Sequence, residues 1–191
     1  MAGKSSSTSA PHSRLTAFAD DAGGLNVVIE TPKGSRNKYE YDEGLGLFKL
    51  GGVLPAGAVF PFDFGFVPQT VGGDGDPLDV LVLMDEPAFP GCLVAARLLG
   101  VVEAEQTERD GETTKNDRLI AVASDSRDHA GVRTLTGLGP NLLAEIEHFF
   151  VSYNEVKGKE FRPLGRHGSR RARELVEEGA ARFRRRGSKK R

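Results

Sequence analysis

The chain has one cysteine, Cys92, among 191 residues, so no disulfide can form within it, and cysteines and histidines show no zinc-type spacing. Cys92 lies in an apolar run and reads as a buried, inert thiol. No stretch reaches the ~20 apolar residues of a membrane-spanning helix, and the N-terminal segment lacks the apolar core of a secretory signal. The glycine-rich stretches lack the Lys-Ser/Thr ending of a phosphate-binding P-loop. A formal net charge of -1 gives the molecule no overall pull toward nucleic acid or membrane. Together these absences describe a soluble, cytoplasmic protein. The charge balance hides one asymmetry: residues 182–191, Arg-Phe-Arg-Arg-Arg-Gly-Ser-Lys-Lys-Arg, are strongly basic. This run is read as a solvated tail rather than a nucleic-acid contact.

What is present divides into three segments. Residues 1–22, rich in Ser, Ala, Gly and Thr, show no period and are expected to be a disordered tail. Residues 23–165 carry the globular domain. Its first part reads as short strands: Asn26–Glu30, Lys38–Asp42, Leu47–Leu50, Asp79–Met84, Cys92–Glu103 and Arg118–Val122, with Gly and Pro in most gaps. After Gly139 the period becomes helical, with Leu142, Leu143, Ile146, Phe149, Phe150 and Tyr153 on one stripe, Pro140 suited to the first turn and Gly158 to a stop. Residues 166–191 are expected to form a helix from Ser169 to about Arg185, with Ala172, Leu175, Val176 and Phe183 inward, followed by the basic tail. The fold class expected is mainly β with α: a small barrel, one long helix packed on it and a peripheral C-terminal helix.

The chemistry concentrates in Gly73-Asp74-Gly75-Asp76-Pro77-Leu78-Asp79. Three carboxylates within six residues repel one another unless cations lie between them, and oxygen donors suit hard divalent cations such as Mg²⁺ or Mn²⁺. A carboxylate beside a metal-bound water can take its proton. Taken alone, the stretch reads as readily as a solvated acidic turn. An EF-hand is a poor competitor, because its twelfth place, Asp85, already lies beyond an apolar strand and no helix flanks the loop.

Other segments give the acidic loop a context. Glu30-Thr31-Pro32, Lys38-Tyr39-Glu40, Phe60-Pro61-Phe62-Asp63-Phe64-Gly65-Phe66-Val67-Pro68, Asp74 to Val82, Pro90-Gly91 and His148-Phe149-Phe150-Val151-Ser152-Tyr153 together resemble the family I soluble inorganic pyrophosphatases. The resemblance covers about residues 26–163. It implies an OB-like five-stranded barrel, Mg²⁺ dependence, a homo-oligomer with a hexamer as the suggested form, and hydrolysis of diphosphate to two phosphates. By the same resemblance Asp74 and Asp79 are metal ligands, and Asp76 is both ligand and general base. Lys38, Glu40, Arg118 and Tyr153 belong to the substrate site, and Glu30 is an outer metal carboxylate. Asp110 and Asp117 compete, with Glu112, to complete the metal set.

The match also has gaps. The family's phosphate-clamping arginine falls at Gly52, its two aromatic-segment tyrosines at Phe60 and Phe64, the lysine after the tyrosine at Asn154, and the aspartate of the later strand at Asn116. Two further readings therefore accompany the first: a metal-dependent hydrolase of another phosphoanhydride or phosphoester, and a catalytically silent OB-like nucleic-acid-binding protein that stacks bases on Phe60, Phe62, Phe64 and Phe66.

Overall fold

The computed structural model describes residues 15–19 and 23–189. Nine strands and two helices follow in chain order: β1 (Leu25–Thr31), β2 (Asn37–Asp42), β3 (Leu47–Val53), β4 (Asp63–Phe66), β5 (Asp79–Leu83), β6 (Leu93–Thr107), β7 (Thr113–Lys115), β8 (Arg118–Ala123), α1 (Pro140–Val156), β9 (Glu160–Gly168) and α2 (Ser169–Lys189). β1 pairs antiparallel with β4, β4 with β5, β5 in parallel with β8, β8 with β6, and β6 with β1. The ring closes on five strands, as expected. β2 and β3 form a separate hairpin. The Thr31 hydroxyl ties it to β1 by accepting the Tyr39 N–H and donating to the Tyr39 carbonyl.

Both faces of the ring are buried, which is why β5 and β8 read as continuous apolar runs rather than alternating ones. Val80, Val82, Leu119, Ala121, Val27 and Ile29 point into one cluster, which α2 seals with Ala172, Leu175 and Val176. Leu81, Leu83, Ile120, Val122, Phe60 and Phe64 point into the other, covered by Leu143, Ile146 and Phe150 of α1. Pro140 opens α1 and Gly158, at φ 69°, lies just past its end. β6 is long enough to leave the ring and continue as a ribbon with β7 and β9. Gly100 lets β9 approach β6 this closely, since a Cβ there would stand 2.3 Å from the His167 carbonyl oxygen.

Several expectations need correction. No strand is expected between the two helices, yet β9 forms there; its Pro163 is tolerated beside the bulge between Glu103 and Ala104. Cys92 is half-buried against the core rather than enclosed. α2 runs on to Lys189, so residues 182–189 are helix and not tail. Phe183 is exposed, because by that turn α2 has left the apolar cluster, whose last contact on it is Ala180. Of the expected N-terminal tail, residues 1–14 and 20–22 lie outside the described residues. Residues 15–19 lie against the barrel, with Ala17 buried, Phe18 bridged to Leu25 and Arg173 over the Phe18 ring. No described helix is long and apolar enough to cross a membrane.

Candidate active site

The acidic loop joins β4 to β5 and is folded on itself. The Thr70 hydroxyl donates to the Val67 carbonyl and accepts the Leu78 N–H, and the Gly72 N–H reaches the Asp76 carbonyl at 2.6 Å. Asp74 Oδ1 accepts the Asp76 N–H at 3.1 Å. Two glycines are required here. Gly75 lies at φ 97°, and a Cβ on Gly73 would stand 2.6 Å from the Lys115 carbonyl oxygen. This tight folding brings Asp74, Asp76 and Asp79 together. Loss of solvation lifts the Asp74 pKa to about 6, with the charges of Asp79 and Asp76 adding to it. Asp79 is also raised, by burial first and then by Asp76 and Glu40, against the pull of Arg118 and Lys38.

Glu30 joins this group from β1. Burial raises it to about 7, the Tyr41 N–H at 2.8 Å opposes the rise, and Asp79 adds to it. From β2, Lys38 and Glu40 pair at 2.6 Å on one strand face. Burial works against the Lys38 ammonium, but Tyr153, Glu40 and Asp79 outweigh it and hold its pKa above the ordinary value. Glu40 is lowered although burial opposes its charge, because Lys38, Lys157 and Lys49 favour it. Tyr153, on α1, is raised by burial.

Arg118 is buried at the start of β8, over the adjoining rings of Phe150 (4.9 Å) and Phe161 (5.2 Å), and it pairs with Asp79 at 2.5 Å while donating to Asn116 Oδ1. The Asn116 amide in turn donates to Gln106, and Gln106 to Glu108.

Asp117 faces β6, where it accepts the Ala104 N–H, yet it also lines a cavity of about 110 Å³ with Asp74, Asp79 and Asn116. Asp110 and Glu112 stay in the β6–β7 turn, bonded to each other through the Glu112 N–H, and do not line that cavity.

One residue was missed in the sequence. Lys157, one turn beyond Tyr153, donates to the Tyr153 hydroxyl and lies 4.3 Å from its ring centre. Burial, reinforced by Lys38, lowers its pKa to about 8. The i, i+4 spacing from Tyr153 was the available signal. Asn154, expected where the family has a lysine, is buried and bonds back to the Phe150 carbonyl. Phe60, Phe62, Phe64 and Phe66 are all buried, so the aromatic segment offers no base-stacking surface. Gly52 pairs with Lys38 across the hairpin, with open space where its side chain would be.

The donor set suits a hard divalent cation, being all oxygen and crowded. Among the described residues no three acidic, histidine or cysteine side chains stand in an arrangement that could by itself hold a metal ion.

A family model described as inorganic pyrophosphatase matches residues 27–184. The chain is similar to the inorganic pyrophosphatase of Nostoc sp., with 42% identity over 144 residues, covering 75% of this chain and 82% of the relative. It is 38% identical over 159 residues to that of Halalkalibacterium halodurans, covering 83% and 94%. The crystal structure of inorganic pyrophosphatase from Thermus thermophilus superposes with a TM-score of 0.81 at 35% identity, over 89% of this chain and 97% of that one. Likeness of this extent takes in the barrel, the acidic loop and both helices at once, and the chain belongs to the inorganic pyrophosphatase family.

Proposed function

We propose that the protein hydrolyses inorganic diphosphate to two phosphates with a divalent cation, Mg²⁺ or in its place Mn²⁺. The observation that carries this reading is the meeting of the crowded aspartates with Lys38, whose charge interacts with both Asp79 and Tyr153. Asp74, Asp76 and Asp79 would hold the cation, with Glu30 as an outer carboxylate and Asp117, through the cavity it shares with Asp74 and Asp79, completing the set. A bound divalent cation supplies neutralisation of phosphate charge and a water acidified toward neutrality.

The chain's own residues do the rest. Asp76 accepts the proton of the attacking water, whose oxygen bonds to one phosphorus in line as the bridging P–O bond breaks. Lys38 and Lys157 meet the charge of the departing phosphate, and the Tyr153 hydroxyl donates to a phosphate oxygen. Glu40 fixes the Lys38 ammonium, and Arg118 pairs with Asp79 and aims it. The relatives carry the diphosphate name, which favours this substrate over other phosphoanhydrides. Exposed Leu45, Leu47, Leu50, Val53, Phe89 and Leu93 support a homo-oligomer.

The test is phosphate release from diphosphate with Mg²⁺. Wild type releases phosphate, and Asp76→Asn releases it at least ~10²-fold more slowly, the usual cost of a lost general base. No release by wild type at high enzyme concentration, with either Mg²⁺ or Mn²⁺, refutes the reading.

A further inference from the structure

Four arginines of α2 differ in what they meet. Arg171 and Arg173 pair with acids: Arg171 with Glu103 at 2.7 Å and with Glu174 and Glu178 at 3.5 Å, and Arg173 with Glu177 at 3.0 Å. Arg182, whose Nη1 lies 4.0 Å from Glu178, and Arg186 bond to main-chain carbonyls of the acidic loop. Arg182 Nε donates to Val71 at 2.8 Å, and Arg186 Nη1 donates to Gly75 at 3.0 Å. Between those carbonyls lie Gly72, Gly73 and Asp74.

One turn earlier, the Gly179 carbonyl accepts the Val71 N–H at 3.1 Å. The helix approaches this closely because residue 179 has no side chain; a Cβ there would stand 2.9 Å from Leu78 Cδ1 and 3.2 Å from Thr70 Cβ. Residues 179, 182 and 186 share one helix face. α2 therefore follows the loop from its start to its tip. A segment containing Gly72, Gly73 and Gly75 has many backbone alternatives, and carbonyls fixed from outside remove them.

We propose that Arg182 and Arg186 are positioning residues that hold the acidic loop in the shape that presents Asp74 and Asp76 to a divalent cation. The proposal rests on the divalent-cation reading of the site. It makes a claim about sign. Two positive charges beside a carboxylate cluster repel a cation, so by Coulomb's law alone their removal tightens cation binding. If they act by ordering the loop, their removal weakens it.

The experiment is Mn²⁺ binding to metal-free, full-length protein, followed by electron paramagnetic resonance of the free ion. It compares wild type, R186Q, and R182Q with R186Q combined; glutamine is neutral and too short to span to either carbonyl. The double variant is expected to bind Mn²⁺ about five- to tenfold more weakly, and R186Q about threefold, as partial loss of charge-assisted hydrogen bonds allows. Saturating Mn²⁺ restores kcat for diphosphate in both. R186Q carries the test if the double variant does not fold, because Arg186 is exposed and its bond to Gly75 touches only the loop. Unchanged or tighter Mn²⁺ binding in folded variants overturns the clamp and leaves the proposed hydrolysis standing. Mn²⁺ binding without any hydrolysis by wild type overturns the hydrolysis and leaves the clamp measurable. A wild type that binds no Mn²⁺ overturns both.

Discussion

Arg118→Met is expected to destabilise the metal-free protein far more than the metal-loaded one. Arg118 and Asp79 form a 2.5 Å pair whose side chains are 6% and 24% exposed. Removing one partner of a buried pair costs about 3–5 kcal/mol, because the other charge is left uncompensated. The partial exposure of Asp79 places this case near the lower end, about 3 kcal/mol. Two features limit the loss further. Methionine keeps apolar contact with the adjoining rings of Phe150 and Phe161, and the substitution removes a buried Nε that has no hydrogen-bond partner. At about 2–4 °C per kcal/mol for a chain of this size, the melting temperature falls by about 6–12 °C in chelator.

With divalent cation present the deficit shrinks, since the ion takes over the charge on Asp79 that the guanidinium had met. A ligand at 100 times its Kd contributes about 2.7 kcal/mol, and the variant's freed carboxylate gains more from it than wild type does. Urea unfolding followed by circular dichroism, with chelator and with saturating Mg²⁺ or Mn²⁺, measures both forms. An equal deficit under the two conditions refutes the idea that Arg118 and the cation serve the same carboxylate.

Gly52→Arg, facing Lys38 across the hairpin with open space beyond its Cβ, is expected to lower KM for diphosphate about tenfold through one charge-assisted hydrogen bond; initial-rate kinetics showing an unchanged KM in a folded variant argue against it. Lys157, lowered to about 8 by burial and Lys38, loses its positive charge as pH climbs through that value. KM should therefore rise there, and the step should vanish in Lys157→Gln if the ammonium contacts substrate. Glu30 is raised from 4.5 to about 7, so its contribution to metal-free stability is complete below 4.5 and is lost as pH rises through about 7. Urea titrations across that window should show a slope that Glu30→Gln flattens, and the same slope in both proteins would assign it to other groups.

Strands that the sequence revealed include those with uninterrupted apolar runs, such as Val27-Val28-Ile29 and Val80-Leu81-Val82. Their burial is decided locally, by apolar residues flanked by turn formers. β9 escaped because its pairing is decided by β6, far away in the chain, and its own Pro163 and Gly165 argue against a strand. The acidic loop was legible for a local reason: glycine spacing and carboxylate density lie within one stretch. Arg118 was legible as a cation beside the site but not as a buried one, since its stacking partners come from α1 and β9. Gln106 could not be picked out at all, because only the fold sets it against Asn116. The basic run at the end of the chain misled in the opposite way. Charge density suggested a tail, whereas helix geometry spends Arg182 and Arg186 on the loop more than a hundred residues earlier.

β6 pairs with β1, β8, β7 and β9, strands spread from Leu25 to Gly168. Its pairings with β1 and β9 therefore wait for distant chain, a topology that folds slowly. During synthesis the acidic loop emerges well before Gly179, Arg182 and Arg186. Until α2 has followed it, the aspartates stand without the helix that holds their loop, and the nascent chain would bind a divalent cation more weakly than the folded protein.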